Sequence, residues 1–202
     1  GGLNRVPDAT PVTLNNTAGG LGFYVTRSGG STTVTENVGV LTLGAGQNTI
    51  TADGTGTSRI GVARFASLAA NPNLSTALLL ARNFDTVATQ GGRIAFAADP
   101  GGAIGAAAAG AGTNSTNYSI YPYLIGENTT AAPTAANVGN SFVTFRDTTL
   151  GVRPLNLTTE YINNSTAITG TLQDNIRYTA SAAIVATPTA INSLVMDSAT
   201  AI

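Results

Sequence analysis

The hydrophobic pattern of the chain is written in short runs of period two, and the densest spans Thr35 to Thr51, TENVGVLTLGAGQNTIT. Val38, Val40 and Ile50 fall on one parity with Thr42, Leu41 and Leu43 fall on the other, and Gly44-Ala45-Gly46 interrupts the run. Side chains of a β-strand alternate between two faces, so the pattern predicts two strands joined by a tight glycine corner. Neither strand is long enough to bury a face by itself. Each needs a similar neighbour stacked on it, and the stretch is read as one rung of a β-solenoid.

Other parts of the chain follow the same grammar at intervals of roughly ten residues. Pro7 and Pro11 exclude a helix interior before the short strand Val12-Thr13-Leu14. Leu21 to Thr26 (LGFYVT) follows the Gly19-Gly20 turn, and Ser28-Gly29-Gly30-Ser31 makes the next corner. Beyond Asp53-Gly54-Thr55-Gly56 come RIGVARFASL (Arg59 to Leu68), a strand over Ala77 to Ala81, and RIAFA (Arg93 to Ala97). SFVTFR (Ser141 to Arg146), GVRPLNL (Gly151 to Leu157), Glu160-Tyr161-Ile162, NIRYTASAAIVAT (Asn175 to Thr187) and INSLVM (Ile191 to Met196) complete the series. Pro122 between Tyr121 and Tyr123 predicts that SIYPYLI (Ser119 to Ile125) is an edge or irregular extended segment. Gly101 to Asn117 is predicted to be a loop insertion leaving one face of the stack. The apolar positions of Asn37 to Leu43 largely coincide with those of Ala190 to Met196, as a degenerate repeat would require.

The fold class expected is all-β, a parallel β-helix with loop insertions forming one unit over residues 1–202, with a β-sandwich as the alternative. Sandwich strands alternate apolar with charged outer positions. Here the outward positions are Thr, Ser, Asn and Gly, which stack on their counterparts in adjacent rungs. Only 9% of residues are charged, so like positions lie ~4.8 Å apart without repulsion.

Composition narrows the function classes. The net charge is -1, hydrophobic residues make up 43% of the chain, and there are 24 glycines, a balance that folds and does not stay disordered. All nine basic residues are arginines scattered along the sequence, whereas a nucleic-acid surface gathers them on one face. No basic amphipathic helix suggests membrane-surface binding, and the low-polarity tract Gly101 to Gly112 is too short to span a bilayer. Neither nucleic acid nor membrane insertion is expected. Cysteine is absent, which excludes disulfides and thiolate metal sites. The first residues carry no signal-peptide pattern, and both ends read as interrupted, so a longer chain is expected.

VTLN (Val12 to Asn15) followed by ENVGVLTLGAGQNTIT (Glu36 to Thr51) resembles the autotransporter-associated β-strand repeat of very long bacterial surface proteins. Tyr121-Pro122-Tyr123, Phe142 to Phe145, Gly151 to Leu155 and Asn192-Ser193-Leu194 are similar to later segments of that repeat. The central region from Asn71 to Asn117 matches poorly. The resemblance implies a parallel β-helix on the cell surface and brings no catalytic residue with it.

The search for chemistry returns few candidates. Histidine is absent, which excludes Ser-His-Asp and Cys-His arrangements and histidine metal sites, and with no lysine or GxxxxGK[ST] loop, lysine-dependent chemistry is excluded too. Gly44-Ala45-Gly46 lies in β text with no helix behind it, so it reads as a corner and not a dinucleotide loop. Glycoside hydrolysis needs two carboxyls on one bond. The acids Asp8, Glu36, Asp53, Asp85, Asp99, Glu127, Asp147, Glu160, Asp174 and Asp197 show no close pair on one strand face, and they read as corner and capping residues. The Asp53-Gly54-Thr55-Gly56 corner lacks the repeated nonapeptide of calcium-binding β-helices, and Asp99-Pro100-Gly101-Gly102 is ordinary turn chemistry, leaving a structural calcium as the one cofactor weighed. Tyr118, Tyr121, Tyr123, Phe142 and Phe145 are expected in the core and not as an exposed sugar platform. Asn-x-Ser/Thr triplets begin at Asn15, Asn73, Asn114, Asn128, Asn156, Asn163 and Asn164, a frequency that Asn- and Thr-rich text produces by chance.

No catalytic, cofactor-binding or metal residue is therefore assigned. The expected protein is an extracellular structural or adhesive β-solenoid at the cell surface. Its expected partners are further repeats or copies stacked end to end, and surface glycans. The competing reading is a carbohydrate-active or carbohydrate-binding β-helix, which needs acids and an arginine converging in one groove.

Overall fold

The computed structural model describes residues 5–15, 19–30, 33–69, 75–84, 90–105, 115–164, 170–179 and 190–197. Within them the protein is all-β: strands β1 (Val12–Leu14), β2 (Phe23–Arg27), β3 (Thr33–Leu43), β4 (Gln47–Gly54), β5 (Ile60–Leu68), β6 (Thr76–Arg82), β7 (Gly91–Phe96), β8 (Tyr121–Thr129), β9 (Ser141–Asp147) and β10 (Gly151–Pro154) form one mixed sheet. A second sheet holds β11 (Ile162–Asn164), β12 (Asn175–Tyr178) and β13 (Ser193–Met196), all parallel.

The large sheet is built by alternation. Odd strands pair in parallel as β1-β3-β5-β7 and even strands as β2-β4-β6-β8, so each strand meets the one two places further on. Phe23 pairs with Ile50, Thr33 with Ile60, Val12 with Leu41, Gln47 with Thr76 and Ile60 with Gly91. Each of these pairings encloses nearly the same length of chain. Corners repeat this offset: Gly44 donates to Leu14, Thr55 to Arg27, Thr76 to Gly46 and Gly91 to Arg59, always from the later turn of chain to the earlier one. Backbone groups at the corners are thereby satisfied as the strands are.

The parallel order stops at β8. From there β9 runs antiparallel to β8, and β10 runs antiparallel to both β9 and β7, so this hairpin joins the odd and even ladders into one ten-stranded sheet. At the opposite end β1 and β2 terminate the strand order, each with one side unpaired among the described residues. The sheet is therefore mixed, nearly closed on itself, and not wholly parallel.

The core lies between the ladders. Val38, Phe65 and Phe96 are in register on the odd side, and the Phe65 ring sits 5.4 Å from that of Phe23 and 5.6 Å from that of Phe96. On the even side Phe23, Ile50 and Leu79 form one inward column and Val25, Ala52 and Ala81 another. β4 and β6 are buried on both faces, which explains why LLL in β6 shows no decisive period.

One expectation fails within the densest run. Val38 is buried, but Val40 is 40% exposed and Leu41 and Leu43 take over the inward positions. β3 changes face at Gly39, whose N–H donates to the Thr10 carbonyl at 2.7 Å and where a Cβ would strike the Ala9 backbone. The same change occurs in β5, where Phe65 is buried, Ala66 and Ser67 are exposed, and Leu68 is buried again. A bend repeated in register keeps the strands paired while turning both. Val40→Thr is therefore expected to change stability by no more than about 0.5 kcal/mol, and Leu41→Ala to cost about 2–5 kcal/mol, measured by urea unfolding.

Pro122 is accommodated differently from an edge. β8 is an interior strand between β6 and β9, but pairing to β6 starts only at Leu124, and the register against β9 shifts between Tyr121 and Ile125. Pro122 sits in that irregular interval, where no ladder bond is asked of it. Ile104 in the expected insertion forms an antiparallel bridge with Ile120, and residues 106–114 lie outside the described set, as do 180–187 of the predicted strand over 175–187.

Candidate functional site

The acids that hold hydrogen bonds among the described residues each serve a local structural contact. Glu36 accepts the backbone N–H of Arg5 at 3.1 Å and of Val6 at 2.6 Å, holding the leading segment against β3. Asp53 is wholly buried and pairs with Arg82 at 2.8 Å; the two directly follow the register partners Ala52 and Ala81 in the even ladder. Glu127 ties down the 137–139 loop through Asn137, Val138 and Gly139. Asp147 accepts from Thr149 and Leu150 in the β9–β10 turn. Asp174 accepts from Thr171, and Asp197 pairs with Arg177. Asp85 lies outside the described residues. Among the described residues no three metal-ligating side chains gather, and the Asp53 carboxylate of the corner weighed for calcium is engaged by Arg82.

The aromatic candidates are core. Tyr118 and Tyr121 are buried, Phe145 and Tyr123 pack half-buried against the main core, and Phe142 packs with Tyr118, Ile120, Leu155 and Tyr161 in a second cluster. Of the triplet asparagines, Asn156 turns its Oδ1 to the N–H groups of Thr158 and Thr159, and Asn128 accepts from the Phe84 N–H. Asn73 and Asn114 lie outside the described residues.

The densest polar chemistry, missed by sequence reasoning, joins β10 to the second sheet. Arg153 and Glu160, 7% and 4% exposed, form a two-pronged pair at 2.6 and 2.7 Å. Glu160 also accepts the Asn156 N–H at 2.7 Å, and the guanidinium lies 5.6 Å from the centre of the Tyr118 ring. Beside it the Tyr161 hydroxyl bonds Ser141 Oγ at 2.9 Å and accepts the Phe142 N–H at 3.1 Å, while Ser141 Oγ donates to the Leu155 carbonyl. Asn175 continues the network, donating to the Tyr118 carbonyl at 3.0 Å and accepting from Asn192 and Ser193. The signal available in the sequence was two opposite charges a short way apart in otherwise uncharged text. These groups fix geometry: none of the hydrogen bonds leaves a nucleophile poised on an open surface.

Burial raises the Tyr161 phenol to about 12, despite the opposing hydrogen bonds from Ser141 and Phe142. Burial, and then the 2.6 Å bond to Asp99, push Tyr121 up as well, and burial raises Tyr123. The native state therefore holds phenolic protons that the unfolded chain releases near pH 10. This contribution is complete below about pH 10 and is lost as the pH climbs from there through about 12. Denaturant unfolding followed across that window should report a loss on the order of 2–3 kcal/mol from Tyr161.

A groove of about 440 Å³ runs between β9 and the last strand of the second sheet, lined by Ile125, Phe142, Leu157, Leu194 and Met196, with Asp197 at its rim. A smaller hollow of about 160 Å³ opens at the other end of the molecule, between Arg5, Val6, β2 and Glu36. No family model, curated protein or solved structure matches the chain.

Proposed function

We propose that this chain is a structural segment of an extracellular bacterial surface protein, a parallel β-helix that works by stacking and carries out no turnover. The observation supporting this most is the nearly constant length of chain between each strand from β1 to β5 and its parallel partner two places on, repeated by the corner hydrogen bonds. On this reading each full turn has three straight runs, as in Thr33–Val38, Val40–Leu43 and Gln47–Gly54, and the β9–β10 hairpin is the stack's end cap. The resemblance to autotransporter-associated repeats fits the same reading, since a long stalk needs coils of nearly constant length. Low charge and rung pairs such as Asp53–Arg82 favour close layers. Partners would be further coils of the same kind or copies of the chain, with surface glycans as adhesion targets.

A carbohydrate-active reading has less behind it, because the buried acids Glu36, Asp53 and Glu160 are each committed to a separate contact and Tyr118 and Tyr121 are buried. The test is incubation with a panel of polysaccharides, with release of reducing ends measured, alongside digestion with trypsin. No release is expected, and Arg82 and Arg93, both within strands, should resist cleavage until the protein is unfolded. Sustained release of sugar ends would overturn the structural reading.

A further inference from the structure

The groove between β9 and β13 combines an apolar floor with hydrogen-bonding groups that the fold leaves unspent. Phe142, Leu157 and Val195 line it and also pack on the buried cluster of Tyr118, Ile120, Leu155 and Tyr161, so the floor is firmly backed. Asn140 stands on the β9 side and Asp197 on the β13 side, both exposed. Each is held from behind. Asn140 donates its N–H to the Gly126 carbonyl at 3.1 Å, and Glu127 accepts the N–H groups of Val138 and Gly139 just before it. Asp197 donates its N–H to the Tyr178 carbonyl at 2.8 Å, and both Arg177 nitrogens that reach its carboxylate take Oδ2. Among the described residues, the Asn140 amide and Asp197 Oδ1 are left to face the groove mouth without a partner.

We propose that this groove binds a neutral saccharide unit, an inference that rests on the adhesive reading above and gives it a site. A pyranose ring carries a face of C–H groups and a rim of hydroxyls, each able to donate and to accept. The C–H face lies on the Phe142 ring and its aliphatic neighbours. One hydroxyl donates to Asp197 Oδ1, and the next bonds the Asn140 amide, which offers two donors and an acceptor. Charge selects among ligands: Arg177 offsets Asp197, so the groove favours neither a cationic amine nor an anionic sugar acid. A purely apolar chain would cover the two rim groups and give them no hydrogen bond in return. The volume of about 440 Å³ falls within the usual span of small-ligand sites and suits a short saccharide. Asp197 is the one acid lining the groove, so the site holds a sugar without the two carboxyls that hydrolysis needs.

The test is an NMR titration of the unaltered protein with glucose, galactose, mannose and N-acetylglucosamine, with glucosamine, glucuronic acid and a neutral tripeptide as comparison probes. At least one neutral sugar should bind saturably and shift the amide signals of Asn140, Phe142 and Asp197. Asn140→Ala and Asp197→Ala should each weaken that binding by about tenfold or more, the loss of one good hydrogen bond. Both side chains are exposed, so the melting temperature should stay nearly unchanged. Tyr24→Ala, at the far end of the molecule, should leave the affinity as it is. Failure of every neutral sugar to bind, binding indifferent to both groove substitutions, or tighter binding of glucosamine, glucuronic acid or the peptide would overturn the proposal. Release of reducing ends is read separately. A silent groove with no release removes this site and leaves the structural segment standing, whereas release removes the structural reading whatever the groove binds.

Discussion

Gly92→Ala is expected to destabilise the protein by about 3 kcal/mol or more. Gly92 on β7 and Gly61 on β5 are register partners, and both pass against the backbone of β4 in the even ladder. A Cβ on Gly92 would collide with the Ala52 carbonyl oxygen, and one on Gly61 with the Asp53 carbonyl oxygen. These obstacles are backbone atoms held in the β2–β4–β6 ladder, so no rotamer change relieves the clash. Gly29→Ala is the control: nothing lies within 4 Å of a Cβ built there, and its cost should stay within about 0.5 kcal/mol. Urea midpoints of the two variants, compared at equal slope, give the contrast directly.

Arg153→Met should cost about 3–5 kcal/mol, because it strands the Glu160 carboxylate in a site 4% exposed with a single backbone N–H to answer it. Adding Glu160→Leu should recover most of that loss, since two apolar side chains of similar volume avoid the desolvation that the ion pair must offset. The expected signature in a double-mutant cycle is a coupling far larger than either partner's effect in the double-mutant background. If the two losses simply add, the pair does not act as a unit and the account of how β10 is tied to the second sheet fails.

Much of the strand pattern was legible because it depends on local text. Val12–Leu14, the corner at Gly44–Gly46, the strand within LSTALLLAR and the FVTF strand all follow from period-two alternation cut by turn residues. The change of face at Gly39 was not legible, since it is imposed by the Thr10 carbonyl from the preceding turn of chain. Nothing in VGVLTL distinguishes a straight strand from one bent in register with β5. The antiparallel hairpin was hidden for a related reason: GVRP and SFVTFR have the same strand character whichever direction their neighbour runs. The aromatic residues were correctly expected in the core, where size and burial go together. The Arg153–Glu160 pair escaped notice because charges in strand text ordinarily mark an outward face, and only packing against Tyr118 turns these inward.

Parallel stacking of successive turns is the claim on which the account rests, and a paired-cysteine cross-link tests it most directly. Gln47 and Thr76 are exposed, lie directly opposite each other in neighbouring turns, and belong to a chain with no native cysteine. Gln47→Cys with Thr76→Cys should oxidise rapidly and quantitatively to an intramolecular disulfide, while Gln47→Cys with Leu43→Cys should not. Two facing antiparallel sheets would pair β3 with β4 through a hairpin at Gly44–Gly46 and reverse that outcome, closing the Leu43 pair and leaving the Thr76 pair open.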